Sequence, residues 1–361
     1  MTSSSRHTPS HFRGCLLGGA IGDALGAPIE FLSLSSIYDT YGRSGVTDYV
    51  EFADGTGYFT DDTQMTLFTA EGVLRAEHRA LQRGIKGAHT IITHRAYLRW
   101  LSTQKELPPG ITESENLHSW LLGLDELKVR REPGNACVSS LRSGICGTIE
   151  NPINDSKGCG GVMRIAPAGL MWYDQPEWAF KAGCELAAIT HGHTTGYLSA
   201  GAFAAIIAFL VQGHDLRGSL ESTIPLLIQM RGHEETLNAI NNAIRLASSG
   251  EPSAQNVESL GGAWIAEEAL AIALYCSLVH EDDFTKGVLL SINHSGDSDS
   301  TGAMTGNLLG LILSDRAIPE NWISNLRMNE LVSEIANDLF IRYKGYTDYP
   351  DKEWERKYPP Y

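Results

Sequence analysis

Several residue patterns are scarce in this 361-residue sequence, and each scarcity excludes a class of protein. Lys and Arg number 28 against 43 Asp and Glu, a formal charge of −15, and they nowhere gather into a cluster. Binders of nucleic acid or anionic membranes meet phosphate with clustered basic residues, so neither partner is expected. The six cysteines (Cys15, Cys137, Cys146, Cys159, Cys184 and Cys276) include no Cys-x-x-Cys pair and no histidine at zinc-finger spacing. Reduced, mostly buried thiols are therefore expected, with neither a zinc finger nor a redox motif. The most lipid-like segment, Ala200 to Val211, falls short of the roughly 20 residues that span a bilayer and reads as a helix buried on all sides. Met1 to Phe12 is polar and lacks the apolar stretch of a signal peptide, and Asp23 interrupts the apolar run after it, so a cytoplasmic location is expected.

What is present is apolar and helical. Hydrophobic residues make up 42% of the chain and charged ones 20%, enough to fill a sizeable core and to exclude disorder as the main state. Strand-like alternation is nearly absent outside Val46 to Phe52. Segments of helical length, among them Arg13–Ala24, Thr63–Ala76, Ser114–Leu122, Gly196–Gln212, Ser219–Arg231, Ala263–Val279 and Ser300–Leu313, are separated by short Gly-, Pro- and Asp-rich breaks. The best candidate for a cut is the polar stretch Ala247–Ser259, and similar helices continue on both sides of it. The pattern predicts one all-α domain over residues 12–345, with a polar tail at 1–11 and a surface tail at 346–361.

Glycine is plentiful, 37 residues, and concentrates near helix starts. In the first such junction Thr60, Asp61 and Asp62 directly precede an apolar helical pattern. A capping threonine and two acids in a first turn satisfy free N–H groups and suit the helix dipole, so structure alone accounts for them. In the second, Asp297, Asp299 and Ser300 lie between Gly296 and Gly302, and these acids and hydroxyls exceed what one cap needs. Carboxylate and hydroxyl oxygens are the ligands of hard cations such as magnesium. If the two helix starts converge, their four acids would repel one another without metal, so convergence implies cations.

Gly158, Gly160 and Gly161 read equally as a tight turn between helices or as an anion nest for a diphosphate. The segment is neither a Walker motif nor a dinucleotide fingerprint. His191 and His193 precede the apolar helix that starts near Gly196, and hydrogen bonding to a substrate or loop capping suits His191 better than metal binding. Gly14, Gly18, Gly19 and Gly22 offer a groove for close helix packing in which Asp23 caps or hydrogen-bonds. Glu30, after Pro28, lies outside that helix and is freer to act.

Taken together, GGAIGDALGAPIEF, TDDTQMT, GCGGVMRIAPAG, ITHGHTTGYLSA and NHSGDSDSTGAMTGNLLG stand in the order and approximate spacing of the ADP-ribosylglycohydrolases, and the resemblance covers roughly residues 12 to 315. It is closest to the bacterial, arginine-acting type typified by dinitrogenase reductase-activating glycohydrolase. The resemblance implies a single compact, orthogonal multi-helix all-α domain, a binuclear magnesium centre in which manganese can substitute, and release of ADP-ribose from modified protein side chains. By motif it places the metal ligands at Thr60, Asp61, Asp62, Asp297, Asp299 and Ser300, and matches Glu30 to a mobile glutamate near the second metal. It assigns Ser156, Gly158, Cys159 and Gly160 to the loop holding the ADP part, and His191 to a contact with it. Cys159 stands where the family commonly has Asn, which removes an amide from that contact; Ser300 replaces a frequent Thr and keeps the hydroxyl.

The expected chemistry is hydrolysis at the anomeric carbon of the distal ribose, with Asp62 or Glu30 accepting the proton of the attacking water. The partners implied are an ADP-ribosylated protein and, opposing it, an ADP-ribosyltransferase. Two rival readings are a protein that binds and sequesters ADP-ribose, as an immunity-type partner of a transferase toxin, and a metal-dependent phosphoesterase acting on ADP-ribose.

Overall fold

The computed structural model describes residues 5–52, 55–111, 118–344 and 352–360, and every regular element among them is a helix. The first part of the chain forms α1 (Pro9–Gly26), α2 (Leu34–Tyr41), α3 (Asp61–Arg83), α4 (His89–Thr103) and α5 (Asn135–Arg142). Next come α6 (Ala166–Met171), α7 (Pro176–Ala188), α8 (Thr194–Gln212), α9 (Leu216–Ile228) and α10 (Glu234–Ala247). The remainder forms α11 (Ala254–Glu258), α12 (Ala266–Val279), α13 (Phe284–Ile292), α14 (Ser298–Leu313), α15 (Glu320–Asn325), α16 (Asn329–Lys344) and α17 (Lys352–Lys357). One continuous apolar core runs from Phe12 to Tyr358, so the polar stretch at 247–259 divides nothing.

The arrangement is fixed by two helices whose backbones touch. In α1, Gly14, Gly18 and Gly22 recur at helical spacing, and in α14 so do Gly302, Gly306 and Gly310. A Cβ on Gly18 would lie 2.3 Å from the Gly306 carbonyl oxygen, and one on Gly306 would lie 2.0 Å from that of Gly18. Gly22 with Gly302, at 1.9 and 2.3 Å, and Gly14 with Gly310, at 2.1 and 1.9 Å, are related in the same reciprocal way. Such pairs let two helices approach closer than side chains permit. The packing is antiparallel, with Gly26 against the Ser298 carbonyl, so the C-terminal end of α1 lies beside the N-terminal start of α14.

Helix α8 is long and apolar enough to cross a membrane, but 89% of its apolar window is buried inside the protein, as the sequence suggests for Ala200–Val211. At Val46 to Phe52 the alternation builds no strand. The side chain of Asn293 accepts from Val46 N at 2.8 Å and donates to Val46 O at 2.9 Å, taking the groups that a neighbouring strand would pair. The two extended pairings among the described residues are isolated bridges, Phe52 with Gly55 and Gly158 with Ile265.

Both chain ends differ from the tails expected. Helix α1 starts at Pro9, ahead of the predicted Arg13, because Thr8 caps it by accepting from His11 N. Arg6 is buried and donates to the carbonyls of Leu210 at 3.0 Å, His214 at 2.6 Å and Ile312 at 3.3 Å, so residues 5–11 belong to the fold. At the other end Trp354 and Tyr358 are buried. The Tyr358 hydroxyl donates to Asp338 at 2.7 Å, and its carbonyl meets His78 Nδ1 on α3 at 2.5 Å. Residues 352–360 are thus held by aromatic anchors, which carry no helical periodicity to betray them. Residues 114–117 of the predicted helix Ser114–Leu122 lie outside the described residues; of the rest, His118–Trp120 is not helical and Leu121–Gly123 is a single 3-10 turn.

Candidate active site

Thr60 stands at the start of α3, and its hydroxyl accepts from Asp62 N at 3.3 Å and donates to Asp299 Oδ2 at 3.1 Å. Most of the capping falls to a residue of another helix. The carboxylate of Asp23, near the end of α1, accepts from Thr60 N at 2.8 Å, Thr63 N at 3.0 Å and Thr63 Oγ1 at 2.6 Å. Asp61 and Asp62 are released from that duty. Asp61 Oδ2 accepts from Gly134 N at 3.3 Å, and Asp62 Oδ2 is buried with no hydrogen-bond partner.

The start of α14 meets these acids. Asp297 and Asp299 each accept from Ser300 N, at 3.3 and 2.9 Å, and both are buried. Gly296 has φ +137°, and a Cβ there would lie 2.1 Å from the Gly262 carbonyl, so the approach to α14 requires glycine. Oxygens of Glu30, Asp297 and Asp299 lie within 4.8 Å of one another. The structure therefore brings together all six residues picked out at the two helix starts, with Glu30 beside them.

The bare cluster is electrostatically costly. Burial, and after it the charge of Asp299, pushes Asp61, Asp62 and Asp297 well above the usual carboxylate range. The same causes raise Glu30 to about 11 and Asp23 to about 7, the latter held back by its three hydrogen bonds. Glu30 Oε2, like Asp62 Oδ2, is buried without a partner. A set of hard oxygen donors that repel one another and leave two buried oxygens unsatisfied fits divalent cations.

These acids floor a cavity of about 630 Å³. One wall is the loop through Gly158, Cys159 and Gly160; the other is the segment 130–137. A Cβ on Gly160 would come within 2.8 Å of Cys137 Sγ and 3.0 Å of His191 Cε1, so this wall is open only to glycine. Ser156 is not on the wall but braces it from behind, accepting from Gly158 N at 3.3 Å. Asn154 ties the two loops together by accepting from Ser156 N and Gly192 N, each at 3.0 Å. The thiol of Cys159 donates to Asp297 Oδ2 at 2.7 Å, and burial with the nearby acids keeps it protonated, well above its ordinary range.

His191 is 1% exposed, and burial, with Arg164 adding to it, lowers its pKa to about 3, so the ring is neutral. Thr190 Oγ1 accepts from Arg164 Nη2 at 2.7 Å and lies 2.9 Å from His191 Nδ1. Having accepted from Arg164, the hydroxyl is able to donate its proton to Nδ1; the other ring nitrogen, Nε2, is the one nearest Gly158. His193 instead caps α8, accepting from Thr195 N at 3.1 Å.

Some of the cavity lining is not among the residues to which the sequence analysis gave a role. Phe31 and Trp264, 64% and 44% exposed, stack with ring centroids 5.2 Å apart beside Glu30. Phe31 and Glu132 adopt φ of +71° and +46°, strained for non-glycine residues and both on the cavity lining. Position after Glu30 was a usable signal for Phe31. Arg130, Glu132 and Asn135 lie in a segment without periodicity and offered none.

A family model described as ADP-ribosylglycohydrolase matches residues 3–348, and the chain belongs to that family. Family membership carries a coarse function, hydrolytic removal of ADP-ribose. The chain is 28% identical to an uncharacterized protein of Archaeoglobus fulgidus, over 91% of this chain and 95% of the relative. It is 26% identical to the ADP-ribosyl-[dinitrogen reductase] glycohydrolase of Rhodospirillum rubrum, over 91% and 93%, and 24% identical to the ADP-ribosylarginine hydrolase Tri1 of Pseudomonas putida, over 91% and 78%. A solved structure titled ADP-ribosylglycohydrolase-related protein complex shares the fold, with TM-score 0.66 and 24% identity over 94% of this chain and 99% of that one.

Proposed function

We propose that this chain is a magnesium-dependent hydrolase that removes ADP-ribose from modified protein side chains, ADP-ribosyl-arginine first among them, through a binuclear centre that manganese can also fill. The observation that carries the reading is the meeting of two helix starts in one cleft, with Asp62 Oδ2 and Glu30 Oε2 buried and unpartnered. Thr60, Asp61, Asp62, Asp297, Asp299 and Ser300 would hold the two cations. Bound there, the ions supply Lewis acidity and a template for the ribose hydroxyls and water.

The chain's own groups do the rest. Asp62 or Glu30 accepts the proton of the water that adds to the anomeric carbon, while the departing guanidine is protonated. The wall through Gly158, Cys159 and Gly160 and the neutral His191 fit an anionic diphosphate, which a further acid there would repel. Arginine as acceptor is supported by the relatives named for dinitrogen reductase and for ADP-ribosylarginine. The same substrate implies an opposing ADP-ribosyltransferase.

Replacing Asp62 or Asp297 by Ala is expected to lower release of ADP-ribose from Arg-linked peptides by about 10²–10⁴-fold, and chelation to do the same in the parent protein. Turnover undiminished in either experiment sinks the binuclear reading. Products discriminate the rivals: AMP with ribose phosphate indicates a phosphoesterase, and tight binding without turnover a sequestering protein. Ser-linked peptides assayed in parallel decide the acceptor.

A further inference from the structure

Arg164 lies just after the glycine loop and holds a full positive charge where water does not reach. Its side chain is completely buried, and its donors meet only neutral groups. Nη1 donates to Met65 Sδ at 3.3 Å and to Cys137 Sγ at 3.4 Å, and Nη2 donates to Thr190 Oγ1 at 2.7 Å. The guanidinium lies over the Tyr97 ring, 4.2 Å from its centroid, and Nε has no hydrogen-bond partner. Among the described residues no carboxylate pairs with it, whereas the buried Arg75 and Arg99 share that of Glu71. A guanidinium does not give up its proton, so this is a fixed charge, costly to bury until an anion comes within reach.

The charge stands one side chain behind the cavity wall. Cys137 and His191 flank Gly160 on that wall, since a Cβ on Gly160 would lie 2.8 Å from Cys137 Sγ and 3.0 Å from His191 Cε1. Arg164 touches the first directly and reaches the second through Thr190, whose hydroxyl lies 2.9 Å from His191 Nδ1. Neither screening group is charged. Burial, with Arg164 adding to it, keeps His191 neutral, and burial holds the Cys137 thiol at about 11, protonated despite Arg164. Without water or a counter-charge between them, a cation and an anion attract across such a layer.

We propose that Arg164 is a positioning residue for the substrate's diphosphate: its buried charge, acting through the wall of Cys137, Gly160 and His191, draws the anion onto the glycine loop without touching it. The inference rests on the proposed function, because it takes an ADP-ribosyl group as the occupant of the cavity. Set back by one layer, the charge pulls on the diphosphate as a whole and leaves its hydrogen bonds to the wall.

The test uses the full chain, titrated with ADP-ribose in a calorimeter and assayed on Arg-linked ADP-ribosyl peptide, with magnesium present. Arg164→Met keeps the length of the side chain and removes its charge. ADP-ribose affinity is expected to fall at least about tenfold, and KM to rise with it while kcat changes less than about threefold, as when binding common to ground and transition states is lost. Arg164→Lys, which restores the charge, is expected to return the affinity to within about threefold of the parent. Manganese affinity without nucleotide is expected to stay within about threefold in both variants, which also shows that they are folded; if Arg164→Met does not fold, Arg164→Gln replaces it. Parent-like ADP-ribose affinity in Arg164→Met, or no recovery in Arg164→Lys, overturns the inference alone. So does loss of manganese and ADP-ribose binding together in both variants, the outcome for a merely structural arginine. A parent protein that binds no ADP-ribose overturns the proposed function and this inference with it.

Discussion

Asp23 caps a helix to which it does not belong, and this frees the two acids that do. Its oxygens serve three donors of Thr60 and Thr63 on α3. Removing them leaves buried N–H and hydroxyl groups unsatisfied. Asp23→Ala is therefore expected to cost roughly 2–3 kcal/mol in urea unfolding and to lower turnover as well, because Asp61 and Asp62 lose the frame that orients them. Unchanged unfolding in the variant would show that Thr60 alone suffices as the cap. The residue types at this site were legible in the sequence, including the capping character of Asp23 within its glycine groove. Which helix Asp23 would cap was not, because Thr60 and Thr63 are close to it only through tertiary packing. His191 was expected from the sequence to hydrogen-bond to a substrate; its place on the cavity lining, with Thr190 and Arg164 beside it, exists only once the helices are packed.

Among the helices, the contact between α1 and α14 sets the geometry of the site, since it delivers Asp23 and Glu30 to Asp297 and Asp299. Gly14, Gly18 and Gly22 announced close packing by their spacing, but their partners Gly302, Gly306 and Gly310 lie far along the chain and inside a motif that drew attention for its acids. Gly18→Ala or Gly306→Ala would place a Cβ 2.3 or 2.0 Å from a backbone carbonyl, which no side-chain rotation relieves. Each is expected to destabilise by ~3 kcal/mol or to prevent folding, and a folded variant should bind manganese more weakly because the two acidic ends are pried apart. Gly123→Ala is the control: nothing lies within 4 Å of its Cβ, and a change within ~0.5 kcal/mol is expected. Equal melting temperatures for all three variants would count against the backbone contact. Helix boundaries were less legible than helices. Thr8 begins α1 earlier than the apolar pattern does, and at Val46–Phe52 a local alternation was overridden by the side chain of Asn293.

For the molecule as a whole, the −15 charge is less informative than the placement of a few acids inside. Without cations, Asp23 is raised to about 7 and Glu30 to about 11, and Asp61, Asp62 and Asp297 also stand well above their ordinary range. An unfolded carboxyl titrates near ~4, so from there upward the bare native state holds more protons than the unfolded one. Its stability consequently falls as pH rises, most of all through the interval ending near the folded values. Cations bound among these acids, as proposed, would reverse the sign. In the proposed metal centre, cations holding the acids ionised would drop the folded values below the unfolded ones, so that the contribution would be present above the ordinary carboxylate range and lost as pH falls through it. Chelated protein is thus expected to melt at a lower temperature at pH 8.5 than at pH 5.5, and the gap opened by magnesium to widen with pH. At a hundredfold excess over Kd the gap should reach about 2.7 kcal/mol at the alkaline end. Differential scanning fluorimetry across that range, with and without magnesium, measures it; a gap independent of pH would mean that the cations bind elsewhere than among these buried acids.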